Sequence, residues 1–303
     1  MSPSKDIPPV PAAPFVDTGI ATSRVHADIA ALTHPGARPN NEDAYVVYRL
    51  GRFMERVASN LPEGDLPRRY DDSGHLLIVG DGVGGAESGE VASRTALLSL
   101  VNAIARSPKW ALKLDDPATR ETEIRELVER SRAYLQHMHA VIRERQAADP
   151  SCEGMGTTFT SAYAVGGDLF IMHVGDSRAY VLRRGRLVRI THDHTVAQEY
   201  ADLGMLGQAE VATHPMSHVL TRALGAPADT IESDTHHRDI EDGDRLLLCS
   251  DGLSAVASED DIASTLAAAP TSAAACKALV ELALARGGPD NITVIVAEYT
   301  VSE

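Results

Sequence analysis

Cysteine is scarce in this 303-residue chain, and Cys152, Cys249 and Cys276 share no close spacing, so neither a disulfide framework nor a cysteine zinc cage is expected. Cys249 closes the apolar run Leu246–Cys249 and reads as a small buried hydrophobe. Positive charge is also in short supply. The 28 Lys and Arg stand against 43 Asp and Glu for a formal charge of -15, which repels nucleic-acid phosphates and supplies no basic stripe to bind them. No stretch approaches the roughly 18 consecutive apolar residues of a membrane span, and the opening MSPSKDIPPVPAAP lacks the apolar heart of a signal peptide. The expectation is a reduced, cytoplasmic monomer with no nucleic-acid partner.

What is present reads as one domain over 24–301 behind a tail. Residues 1–23 hold Pro3, Pro8, Pro9, Pro11 and Pro14 with few large apolar side chains, which predicts disorder. Short apolar or alternating runs predict strands at 25–33, 44–48, 76–80, 158–165, 169–174, 179–183, 246–249 and 292–299. Helical spacing covers 88–106, 119–147, 259–268 and 272–286. In the second of these, Ile124, Leu127, Leu135, Met138 and Ile142 mark a core-facing stripe. Strands that mostly follow one another, with helices segregated into pairs, predict an α+β fold: two antiparallel sheets, each covered by a helix pair, in a four-layer α/β/β/α sandwich. Two segments broken by Gly and Pro stand apart, 49–74 as an insertion and 192–227 as a flap. In the insertion, Phe53, Met54, Val57 and Leu61 have the spacing of a short amphipathic helix, packing over the core or docking a partner.

Three apolar runs end in a small residue, an aspartate and another small residue: LLIVGDG at Asp81, FIMHVGDS at Asp176 and LLLCSDG at Asp251. Asp43 and Asp290 instead precede their strands. If the strand after Asp43 pairs antiparallel with the one before Asp81, and the strand before Asp251 with the one after Asp290, four carboxylates emerge at one edge. Any single Asp-Gly pair is an ordinary turn signal; the joint pattern points to one acidic pocket. Such a pocket needs a cation, and an all-oxygen donor set points to Mg²⁺ or Mn²⁺.

The runs Arg38-Pro39-Asn40-Asn41-Glu42-Asp43, Asp81-Gly82-Val83-Gly84-Gly85, Gly154-Met155-Gly156-Thr157-Thr158, Gly175-Asp176-Ser177-Arg178-Ala179-Tyr180, Ser250-Asp251-Gly252-Leu253 and Pro289-Asp290-Asn291-Ile292-Thr293 resemble, in order, the motifs of the 2C-type metal-dependent protein phosphatases. The stretches 191–194 and 220–225 look like the flap and its return in bacterial members, and the resemblance spans roughly 25–299. It implies a phosphatase of phosphoserine and phosphothreonine proteins, acting on the substrates of a Ser/Thr kinase through a water activated by two Mn²⁺ or Mg²⁺ ions. By position, Asp81 would bridge both metals, the Gly82 carbonyl would complete one shell, and Asp251 with Asp290 would hold the other ion. Glu42 and Asp43 would act through water, and Arg38 would bind the substrate phosphate.

Two positions depart from the family pattern. Some relatives carry a histidine after the Asp-Gly pair as a proton donor, and here that residue is Val83. Many carry an aspartate four residues after the Ser-Asp-Gly aspartate, and here it is Ala255, so a third ion beside Asp176 should be weakly held. These departures also fit a pseudophosphatase that grips a partner without turnover. A phosphatase of an anti-sigma-type regulator is a further alternative, for which a fused sensor domain would be expected.

Overall fold

The apolar runs LLIV and LLLC become intelligible once both of their faces are followed. In the computed structural model, which describes residues 25–62, 68–84, 88–107, 112, 114 and 116–301, Leu76 and Ile78 pack outward under helices while Leu77 and Val79 pack inward against the opposite sheet. Leu247 and Cys249 likewise face one helix pair, and Leu246 and Leu248 the sheet interface. A strand buried on both faces cannot alternate with polar residues. The proline-rich tail expected at 1–23 lies outside the described residues.

In chain order the elements are β1 (Val25–His34), β2 (Ala44–Glu55), β3 (Arg69–Gly80), β4 (Gly82–Val83), α1 (Ser88–Arg106), α2 (Arg120–Ala148), β5 (Gly156–Thr157), β6 (Phe159–Val165), β7 (Asp168–Val174), β8 (Arg178–Arg183) and β9 (Arg186–Arg189). Then follow α3 (Val196–Asp202), β10 (Asp234–Asp239), β11 (Arg245–Cys249), α4 (Asp251–Ser254), α5 (Glu259–Ala268), α6 (Ser272–Ala285) and β12 (Ile292–Val301). One five-stranded sheet runs β1-β12-β11-β8-β9 and the other β10-β7-β6-β3-β2, with every pair antiparallel. Helices α1 and α2 bury Ala92, Ala96, Leu135, Met138 and Ile142 on the second sheet, and α5 and α6 bury Ile262, Leu266 and Leu279 on the first. The four-layer expectation is met. Local signals agree with it: Ser258 caps α5 by accepting the Asp261 N–H at 3.2 Å, and Thr271 caps α6 by accepting the Ala274 N–H at 3.2 Å.

The insertion is a correction. Rather than forming an amphipathic helix, residues 49–55 continue β2, whose register with β3 runs from Ala44↔Gly80 to Glu55↔Arg69. Tyr45, Val46, Val47, Tyr48 and Phe53 are β-formers, and the long ladder overrides the helical spacing of Phe53 and Met54 with Val57 and Leu61. Phe53 and Val57 are 72% and 97% exposed, so this stripe does not pack over the core. Residues 63–67 of the insertion lie outside the described residues. Strands β9 and β10, whose polar sequences RLVR and DTHHRD give no strand signal, were also not expected. The flap holds α3 and a 3-10 turn at Gln208–Thr213.

Antiparallel register sets the acidic edge. Ala44 faces Gly80, which places Asp43 beside Asp81, and Cys249 faces Val294, which brings Asp251 toward Asp290. Gly252 lets these last two turns meet: a Cβ there would lie 1.9 Å from the Asn291 carbonyl oxygen. The glycine serves close approach rather than a left-handed turn. Gly252→Ala is expected to lower unfolding free energy by about 1–3 kcal/mol, measured by urea denaturation of the metal-free protein.

Candidate metal centre

All eight residues singled out from the sequence surround one cleft or its floor. Arg38, Glu42, Asp81, Gly82, Asp176, Asp251 and Asp290 line a cavity of about 440 Å³, and Asp43 lies directly behind it against Ser250. Backbone positions are fixed by small polar side chains. Thr158 and Asp81 exchange bonds, the Asp81 N–H donating to Thr158 Oγ1 and the Thr158 N–H to the Asp81 carbonyl, both at 2.9 Å. Thr157 Oγ1 also donates to that carbonyl at 3.0 Å. Thr158 Oγ1 then meets Ser177 Oγ at 2.8 Å, tying the Asp81 turn to the Asp176 turn.

Asn291 performs the same service for the Arg38–Asp43 loop. Its Oδ1 accepts the Glu42 N–H at 2.7 Å, and its Nδ2 donates to the Pro35 and Asn40 carbonyls at 2.9 and 2.8 Å. Ser250 Oγ accepts the Thr293 N–H at 2.9 Å and donates to Asp43 Oδ2 at 2.7 Å. Reading the sequence for ligands passed over Thr158, Ser250 and Asn291 as holders of the site. Ser250 and Asn291 adjoin Asp251 and Asp290 in their motifs, whereas Thr158 lies in a motif that holds no aspartate.

Four histidines of the loops around this edge make other contacts. His34 Nδ1 accepts the Gly36 N–H at 2.9 Å, His192 pairs with Asp202 at 2.7 Å, and His214 Nδ1 accepts the Met216 N–H at 3.2 Å. His194 is buried; its Nδ1 accepts the Gly175 N–H at 3.1 Å and its Nε2 faces Asp234 at 3.3 Å. The cleft is instead reached by His218, which the sequence reading passed over.

The electrostatics of the edge are one-sided. Burial pushes the Asp81 carboxyl well above the usual range, and the charges of Asp43, Asp251, Asp176 and Asp290 push it further. Burial raises Asp176 too, with Asp251 and Asp193 adding to it against the opposing pull of Arg178. For Asp251 the causes are burial and then Asp290; for Glu42, burial outweighs the pull of Arg38. Asp43 is raised to about 7, chiefly by burial, with its hydrogen bonds from Thr293 and Ser250 opposing. Arg38 Nη2 donates to Asp290 Oδ2 at 2.8 Å, both side chains partly exposed. That single ion pair leaves the inner carboxylates unneutralised.

A divalent cation fits this donor set. Asp43 Oδ1 is buried with no hydrogen-bond partner, an acceptor left open toward a cation or its water. Among the described residues, the one trio whose ligand atoms all lie within 4.8 Å is Asp168, His237 and Asp239, remote from the cleft. There Asp168 Oδ1 already takes donors from Arg120 at 2.5 Å and His237 at 2.6 Å. The cleft carboxylates are spaced more widely, which suits hard ions that keep water in their shells.

Asp43 gives this field a pH signature. Its folded value near 7 lies above the ordinary carboxylate value, so folding favours the protonated form. The resulting stabilisation is complete below about pH 4 and is lost as pH rises through about 7. Asp43→Asn keeps an acceptor for Ser250 and removes the charge. It is expected to raise the thermal midpoint of the metal-free protein by a few degrees at about pH 8 and to leave it unchanged near pH 4, as read by calorimetry in EDTA.

Comparison with known proteins agrees with this architecture. The family model described as Protein phosphatase 2C matches residues 55–284. Serine/threonine protein phosphatase PstP of Mycobacterium tuberculosis is 36% identical over 247 residues, covering 80% of this chain and 45% of that protein, so the chain spans about half the length of this relative. Serine/threonine phosphatase stp of Listeria monocytogenes is 31% identical over 232 residues, covering 77% of this chain and 87% of the relative. Among solved structures, the catalytic domain of PstP in complex with two manganese ions superposes with a TM-score of 0.69 at 33% identity, over 91% of this chain and 99% of that one. With its motifs in order, its two sheets and helix pairs, and its acidic edge, the chain belongs to the 2C-type protein phosphatase family.

Proposed function

We propose that this chain hydrolyses phosphoserine and phosphothreonine in proteins, the substrates of a Ser/Thr kinase, with two Mn²⁺ or Mg²⁺ ions. The observation that carries the proposal is the convergence of Asp43, Asp81, Asp251 and Asp290 from four strand ends on one cleft, where burial and neighbouring carboxylates raise the pKa values of Asp43, Asp81 and Asp251. The two manganese ions of the PstP catalytic-domain structure support the two-ion reading. Bound at the cleft, two such ions would supply an activated water and offset the phosphoryl charge.

The chain's own residues then divide the work. Asp81 feels every other aspartate of the edge, which suits it to bridge both ions. The Gly82 carbonyl, Asp251 and Asp290 would hold the ions with it, and Asp43 and Glu42 would support them, with Asp43 held by Ser250. Asp176 would hold a third ion weakly, since Ala255 offers no oxygen beside it. Arg38 orients the substrate phosphate through forked donors. Its partly exposed pair with Asp290 is worth little in water, so phosphate can displace it at small cost.

With Mn²⁺, the protein is expected to turn over p-nitrophenyl phosphate and a phosphothreonine peptide, and EDTA should abolish both. Asp251→Asn should lower kcat by about 100-fold or more. Hydrolysis that is absent or survives EDTA overturns the assignment; absence with metal binding retained would favour the pseudophosphatase. Arg38→Lys keeps the charge but loses the fork, and should raise KM roughly tenfold with a smaller change in kcat.

A further inference from the structure

A serine or threonine alkoxide is too basic to leave phosphorus unprotonated near neutral pH, so the cleft needs a proton donor on the leaving-group side. Among the described residues its walls offer few. Val83 has no proton to give, Arg38 stays charged throughout the working range, and the carboxylates hold cations in the proposed function. The histidines at 34, 192, 194 and 214 do not line the cleft.

His218 does, on the returning limb of the flap. Its backbone surroundings are pinned: the Val219 carbonyl accepts the Val196 N–H at 2.9 Å, the Met216 carbonyl accepts the Ala197 N–H at 3.4 Å, and the Thr221 N–H donates to the His194 carbonyl at 2.9 Å. Thr195 and Leu220 add an antiparallel bridge. His218 itself is exposed, and it lines the cleft together with Arg38, Asp81 and Asp251. An exposed residue on a held backbone in the cleft wall is what a proton donor to substrate requires, and imidazole is the side chain that can give and regain a proton near neutrality.

We propose that His218 is the general acid of this phosphatase, an inference that rests on the function proposed above. As the water oxygen forms its bond to phosphorus and the bond from phosphorus to the serine or threonine oxygen breaks, the imidazolium gives its proton to that departing oxygen. The proton of the attacking water goes to solvent, from which the neutral imidazole is recharged.

Leaving-group chemistry separates this role from a structural one, because p-nitrophenolate departs without a proton. With Mn²⁺, His218→Ala and His218→Gln should lower kcat on a phosphothreonine peptide by about 100-fold and on p-nitrophenyl phosphate by less than about 3-fold. The alkaline fall of the peptide pH profile should disappear in both variants. In a proton NMR titration with Mg²⁺, inorganic phosphate should raise the titration midpoint of the His218 ring, because an adjacent anion favours the imidazolium. Equal losses on the two substrates, undiminished peptide turnover or an unmoved midpoint overturns the assignment. A wild-type protein inert toward both substrates overturns the phosphatase reading itself.

Discussion

Repulsion among buried carboxylates is the constraint that the rest of this structure answers. Asp43, Asp81, Asp176 and Asp251 each carry a pKa pushed upward by burial and by one another, and the guanidinium at the rim pairs with Asp290 alone. Such an edge cannot assemble itself. It is imposed by ladders whose register is fixed elsewhere, because β3, β11 and β12 are apolar on both faces and a one-residue slip would exchange their helix-facing and sheet-facing sets. The core sets the register, and the register sets the charges.

Between core and charges stand the turns, where short polar side chains substitute for absent ladder partners. Thr158 and Thr157 occupy the backbone groups of Asp81, Ser250 links Thr293 to Asp43, and Asn291 ties three backbone groups of the 35–42 loop to the start of β12. Each satisfies groups that would otherwise be stranded near the surface of an acidic cleft. This explains why Thr, Ser, Asn and Gly accompany the aspartates in the sequence. They hold the carboxylates apart as well as in place.

The layers and the acidic edge were legible in the sequence because both rest on patterns that burial enforces: apolar runs of strand length, helices in pairs, and aspartates at alternate ends of consecutive strands. The elements that escaped notice are those whose formation depends on a neighbour. Strand β10 is DTHHRD, polar throughout, and exists because β7 offers it a ladder. The extension of β2 past Tyr48 was hidden by a chance helical spacing of exposed residues. His218 was overlooked for a related reason. Nothing local distinguishes it from His214, and only the pairing of the flap's return limb with Val196 and Thr195 turns its position toward the cleft.

The flap is therefore bound to the metal edge more firmly than its irregular sequence suggests. His194 sits at the junction, giving its N–H to the Gly175 carbonyl at 2.8 Å while its ring accepts the Gly175 N–H at 3.1 Å, and Gly175 immediately precedes Asp176. Asp193 beside it clasps Arg178, on the other side of Asp176, through bonds of 3.1 and 2.7 Å. Displacing the root of the flap would disturb Gly175 and Arg178, on either side of Asp176, at once. The Asp176 turn therefore has a mechanical role of its own, joining flap to cleft.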